Sequence, residues 1–275
     1  YIPETSLSPY YCLILDQMSS PEEHVYECLF HPNGSDIQQN GSLTKYSMPL
    51  PNGKGSITTE LHALIPKPTE LKKGYYSAYW GSEIGTRYIA YKEKSKECTF
   101  ATMITSKASE ESAKVTPISL AGKRDRLIHE YAFSIQKNQE NWQDVLFRNP
   151  SGNMIQGQWI GTNATTAYVR TNQLTPTNGS YVGIQCSYMN YQQDPLFYAQ
   201  KKIDYIYFTS SSELYDYYME YESSVLSNTI YLNLFDISNI LLDNKEVELK
   251  SFSGGISFQL PPGKHQVIFK KKGDK

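Results

Sequence analysis

Apolar and polar residues alternate with a period of two along almost the whole chain, in short runs rich in Val, Ile, Tyr, Phe and Thr. In an extended backbone that period sends successive side chains to opposite faces. One face can then be buried while the other stays wet, so strands are predicted from end to end. The clearest runs are residues 10–15, 25–30, 56–64, 87–91, 99–105, 128–136, 144–148, 154–159, 166–170, 181–188, 203–208, 230–235, 247–249, 255–259 and 266–270. Between them stand Pro51-Asn52-Gly53, Asn149-Pro150-Ser151-Gly152, Asn178-Gly179 and Pro261-Pro262-Gly263, which preset φ or tolerate positive φ as tight turns require. Residues 211–226 break the pattern. There Leu214, Tyr217, Tyr218, Tyr221 and Val225 recur at helix-like spacing and admit a short helix.

These elements predict an all-β protein, and 275 residues suffice for one large β unit or two smaller ones. Residues 10–32 read as strand, acidic turn, strand. The polar and charged stretch 106–126 reads as a long surface loop or linker. Thr209-Ser210-Ser211-Ser212 introduces a final block with its own hairpin logic, in which Ile240 to Val247 spells strand, tight turn, strand. The expected organisation is a β unit over residues 1–210 and a small C-terminal β-module over 211–275.

Composition narrows the partners. The net charge of −2 leaves no basic field to draw nucleic acid or an anionic membrane, and a polyanion would need a local cluster of cations. No apolar run approaches the length of a membrane-spanning helix. Twenty-three tyrosines with 39% hydrophobic residues imply wide half-polar surfaces of the kind found in extracellular β-proteins and sugar binders. The chain opens at Tyr1 without an initiator Met, as a mature product or an excised piece would. Cys12, Cys28, Cys98 and Cys186 lack metal-ligand spacing. Cys12 and Cys28 lie on the two arms of the first expected hairpin. A cross-strand disulfide fits there, and so do buried free thiols, the reading favoured by neighbours Leu13, Leu29 and Phe30.

Candidate chemistry is sparse. On one continuous strand His24 and His31 would face opposite sides and stand more than roughly 20 Å apart, and His62, His129 and His265 read as structural residues. No nucleophilic serine motif or phosphate loop is present. Glu22-Glu23 and Glu110-Glu111 read as charged turns, and Asp16 as a turn cap. The strongest candidate is Gly74-Tyr75-Tyr76-Ser77-Ala78-Tyr79-Trp80-Gly81. Tyr75, Tyr76, Tyr79 and Trp80 can stack on pyranose faces, while Arg87 and Lys72-Lys73 can pair with uronate or sulfate oxygens. The competing reading is an aromatic loop that closes the end of a core. Tyr188, Tyr191, Phe197 and Tyr198 around Asp194-Pro195 carry the same ambiguity. Asn33, Asn40, Asn163 and Asn178 head glycosylation sequons in turn-like settings.

Taken in order, YYCLILDQ (10–17), HVYECLFHP (24–32), GYYSAYWG (74–81), TFATMITS (99–106) and DVLFR (144–148) resemble the β-sandwich of heparinase II/III-like polysaccharide lyases over roughly residues 10–208. The closing Pro-x-Gly-x-His phrase at 261–265 resembles the small terminal β-modules of secreted polysaccharide-degrading enzymes. The resemblance implies a large antiparallel, supersandwich-like β-sandwich in a secreted or periplasmic protein. Such lyases cleave uronate-containing polysaccharide by β-elimination: the uronate is neutralised, a base takes the C5 proton and an acid protonates the leaving oxygen. Those roles belong to a helical toroid and to His-x-His and His-Asn-Thr segments that this chain lacks, so no catalytic residue, metal ligand or cofactor is carried over. The implied partners are acidic polysaccharide and a helical toroid of the same polypeptide. Two alternatives stand beside this reading: a stand-alone carbohydrate-binding or cell-surface module, and a complete hydrolase with dispersed carboxylates.

Overall fold

The computed structural model describes residues 11–32, 35–49, 55–76, 84–107, 114–117, 120–121, 131–136, 142–157, 160–172, 179–191, 194–212 and 215–272. Among them every regular element is a β-strand, and the sheets are antiparallel, as the alternation predicts. The chain divides into two compact units, Tyr1–Val115 and Thr116–Lys275, at a point within the polar stretch 106–126. Residues on either side of 210/211, the boundary expected from sequence, pair with one another from Tyr205↔Glu222 to Ser212↔Tyr215.

The first unit holds β1 (Tyr11–Phe30), β2 (Ser35–Asn40), β3 (Leu43–Pro49), β4 (Ser56–Ala63), β5 (Thr69–Tyr76) and β6 (Ile84–Lys107). Strands β1 and β6 form one long ribbon, with a register shift between Ser19 and His24. Beyond that shift the ribbon takes different neighbours at its two ends: the C-terminal half of β6 pairs with β4, and its N-terminal half with β5. The halves meet through their side chains. Ile89 and Tyr91 from one end share a core with Leu61, Cys98 and Phe100 from the other, and Phe30 meets Tyr91 edge-on at 5.8 Å.

The strands expected at 10–15 and 25–30 therefore do not form a hairpin with each other. Both belong to β1 and pair with β6, which places Cys12 opposite Ile104 and Cys28 opposite Tyr91. An isolated hairpin encloses no core, whereas β6 offers both arms a ladder and a buried face. Cys12 is exposed, contrary to the buried-thiol expectation, and Cys28 is half-buried. The Cys28 thiol donates to Asp16 Oδ2 at 3.6 Å, and burial, then the Asp16 carboxylate, pushes its pKa up to about 11.

The remaining strands are β7 (Lys114–Pro117), β8 (Leu120–Ala121), β9 (Tyr131–Gln136), β10 (Trp142–Arg148), β11 (Ile155–Gly157), β12 (Ile160–Thr162), β13 (Thr166–Asn172), β14 (Gly179–Tyr191), β15 (Asp194–Ser212), β16 (Tyr215–Ser223), β17 (Asn228–Leu232), β18 (Ile237–Leu242), β19 (Lys245–Glu246), β20 (Lys250–Phe252), β21 (Gly255–Leu260) and β22 (Gly263–Lys271). The long β14–β15 hairpin is their spine. Its open end is flanked by β13 and β16, which lead on to β10 and β22, and its closed end by β12 and β17, which lead on to β11 and β21. The layers so formed face each other across one core. Phe258 of β21 meets Phe269 of β22 edge-on at 5.9 Å although the two strands are not paired. This is sandwich packing, with inward residues alternating with wet ones.

The corner where the spine changes layer is built from specific residues. Gln185 has φ 51°, and the register slips between Cys186 and Tyr188. Asn163 Oδ1 accepts from the backbone N–H groups of Ser187 and Tyr188, and its Nδ2 donates to Ser187 Oγ. Across the ribbon, Asn228 clamps Lys201, accepting from its N–H and donating to its carbonyl. The helix admitted at 211–226 is instead strand β16. Met219, Tyr221 and Ser223 are buried while Glu220 and Glu222 are not, and pairing with both β15 and β22 satisfies the backbone. Leu214 lies outside the described residues.

Candidate functional site

Strand alternation sorts the residues around the predicted aromatic loop. In the β5–β6 pairing Lys73 stands directly opposite Arg87, and Tyr75 opposite Gly85, so Lys73, Tyr75 and Arg87 share one face. Lys72 belongs to the other face. There its Nζ pairs with Glu27 Oε1 at 2.8 Å and lies 6.0 Å from the Tyr88 ring centre, while His31 stacks on that ring at 5.2 Å. Gly74 is required beside Tyr88, because a Cβ there would come within 2.7 Å of the Tyr88 ring.

Lys73, Tyr75, Thr86 and Arg87 line a cavity of about 500 Å³ that is flanked by Asp36 and Ile37 of β2. Tyr75 is 74% exposed, so it is an open surface and not a plug in the core. Asp36 has φ 57°, a left-handed conformation that Asp tolerates better than most residues. Among the described lining residues two cations and one anion sum to a net charge of +1. Tyr76 ends β5 opposite Ile84, and Tyr79 and Trp80 lie outside the described residues. The structure thus brings together Tyr75 and Arg87 of the expected set and adds Asp36. Nothing in the sequence marks Asp36, since only the β2 backbone carries it to the cavity.

Two buried ionic clusters also escaped the pattern. Glu60 of β4 is fully buried. Lys45 Nζ lies 2.9 Å from its Oε1, His62 Nε2 lies 3.2 Å from its Oε2, and the Thr105 hydroxyl donates to it. In the second unit Arg170 grips Asp144 bidentately, Nε to Oδ1 at 2.7 Å and a terminal nitrogen to Oδ2 at 2.6 Å, with both side chains buried. Each cluster joins neighbouring strands in register and holds a buried charge neutral. Among the described residues no group of three or more His, Cys, Asp or Glu side chains is placed to hold a metal ion.

Three of the remaining histidines and acids have structural partners. His24 packs on Tyr26, Glu23 pairs with Lys94, and His265 is bound by Asp243 and the Pro262 carbonyl. His129 and Glu110-Glu111 lie outside the described residues, as do Asn33 and Asn178. Asn40 sits exposed at the tip of the β2–β3 hairpin, whereas the amide of Asn163 is engaged in the corner described above.

Set beside known proteins, the chain matches no family model and no curated sequence. No helix among the described residues is long and apolar enough to cross a membrane.

Proposed function

We propose that this chain is the non-catalytic carboxy-terminal β-sandwich portion of a heparinase II/III-like polysaccharide lyase. In this reading it is secreted or periplasmic, braces the catalytic toroid and contacts the acidic polysaccharide on which the lyase acts. The glycan contact is assigned to the cavity of Lys73, Tyr75 and Arg87.

The observation that carries this reading is the direct opposition of Lys73 and Arg87. Like charges facing each other across a strand pair are unfavourable, and an anion held between them removes that cost. Arg presents a planar fork that matches carboxylate or sulfate, and the exposed ring of Tyr75 offers a flat apolar surface to the sugar. Asp36 supplies an acceptor for sugar hydroxyls on the third side.

Affinity electrophoresis through heparan sulfate, chondroitin or alginate tests the binding half. Retention is expected to be weak and to fall with added salt, and Lys73→Ala, Arg87→Ala and Tyr75→Ala should each weaken it about three- to tenfold. Equal retention of all three variants and the parent chain would sink the assignment. The catalytic half is tested by absorbance of unsaturated uronate, where the chain alone is expected to give no rise. Any turnover overturns the non-catalytic reading.

A further inference from the structure

The second unit contains a pocket of about 320 Å³ that the glycan reading does not use. Its wall is a ladder of rings on neighbouring strands. Tyr181 lies 6.0 Å from Phe208 at an interplanar angle of 31°, and Phe208 stacks on Tyr217 at 5.8 Å and 22°. The pocket is floored by Phe197 and Leu232, both buried. At the mouth stands Phe235, 56% exposed, on the segment between β17 and β18. That segment is tied at both ends, by Asn233 N–H to the Leu196 carbonyl and by Lys272 N–H to the Asp236 carbonyl.

Two opposite charges share this mouth. Lys271 Nζ lies 4.8 Å from the centre of the Tyr217 ring, and Lys271 pairs in register with Ile237, the residue after Asp236. Both charged residues line the pocket and are exposed. A pyranose would set hydroxyls against Phe197 and Leu232, which offer them no hydrogen bond. An aromatic ring fits the wall, where offset stacking is favoured. A carboxylate and an ammonium on that ring's short tail fit the two charges.

We propose that this pocket binds a small zwitterion with an aromatic side chain, chemically a free aromatic α-amino acid. Its ring lies between the Phe208–Tyr217 ladder and Phe235, its carboxylate on Lys271 and its ammonium on Asp236. The site combines an apolar slot with a few oriented polar groups, the usual make-up of a small-molecule site.

Isothermal titration of the whole chain with L-phenylalanine, 3-phenylpropionate and 2-phenylethylamine tests it. The zwitterion is expected to bind about tenfold or more tightly than either singly charged analogue, a difference of about 1.4 kcal/mol. Lys271→Gln should abolish its advantage over the amine, and Asp236→Asn its advantage over the carboxylate. Phe235→Ala, a change at an exposed position, should weaken it about tenfold. Arg87→Ala should leave it unchanged, which separates this site from the glycan cavity. Equal binding of the three probes would mean that Lys271 and Asp236 only neutralise each other, and would overturn the proposal. So would competition by glucuronate, or no heat from L-phenylalanine at millimolar concentration.

Discussion

His265 donates from both ring nitrogens, Nδ1 to Asp243 Oδ2 at 2.6 Å and Nε2 to the Pro262 carbonyl at 2.9 Å, and its ring lies against Tyr221. A neutral imidazole has one N–H, so this geometry selects the imidazolium. The Asp243 carboxylate, then the Pro262 carbonyl, raise the pKa of His265. The Gln266 N–H, then His265, lower that of Asp243. The histidine's contribution is complete below its unfolded value near 6.5 and is lost as pH rises through its folded value. That of Asp243 is present above about 3.9 and is lost as pH falls through its own folded value. Thermal stability of the parent chain is therefore expected to fall from pH 6 to pH 9 relative to His265→Gln. The loss should be about 1 kcal/mol at most, because Asp243 is half in solvent. Parallel melting-temperature profiles for the two proteins would refute the assignment. At this scale the candidate site was partly legible. Tyr75, Lys73 and Arg87 announce themselves by residue type, whereas the sorting of Lys72 to the opposite face depends on the β5–β6 register, and Asp36 on where β2 runs.

Among the elements, the strands were readable and their bends were not. Alternation predicts strands at 181–188 and 203–208, yet the register of β14 and β15 slips between Cys186 and Tyr188, and each strand takes different partners on the two sides of that slip. The change is carried by Asn163 and Asn228, and by Gly183, whose missing Cβ leaves room for Cys186 Sγ at 2.5 Å from where it would stand. Burial pushes the Cys186 thiol up to about 12, as an inert corner-filler should behave. Asn228→Ala strips both polar atoms that hold the Lys201 backbone and is expected to cost about 1–3 kcal/mol in urea unfolding. Asn40→Ala, at an exposed hairpin tip, should stay within about 0.5 kcal/mol. Equal losses in the two variants would show that Asn228 is no clamp. For the same reason Asn163 is a poor glycan acceptor, since a sugar on its Nδ2 displaces the bond to Ser187.

At the scale of the molecule, each unit has its own core. One runs through Leu61, Tyr91 and Phe100, and the other through Val145, Ile206, Phe258 and Phe269. Because the second core draws all its residues from one unit, the fragment Thr116–Lys275 is expected to fold alone, with a cooperative urea transition and ordered tyrosine signals in near-ultraviolet dichroism. A fragment with strand content but no cooperative transition would contradict this. By itself the sequence determined that the protein is built of strands, which faces of those strands are apolar, and that the chain turns at 149–152 and 261–263, because these follow from period-two alternation and local backbone preference. Tertiary structure alone decided that both arms within Tyr11–Phe30 pair with β6 and not with each other, that Tyr215–Ser223 is a strand, and that Asp36 lines the same cavity as Lys73 and Arg87. Strand partners are chosen by burial across long sequence separations, and no local pattern encodes that choice.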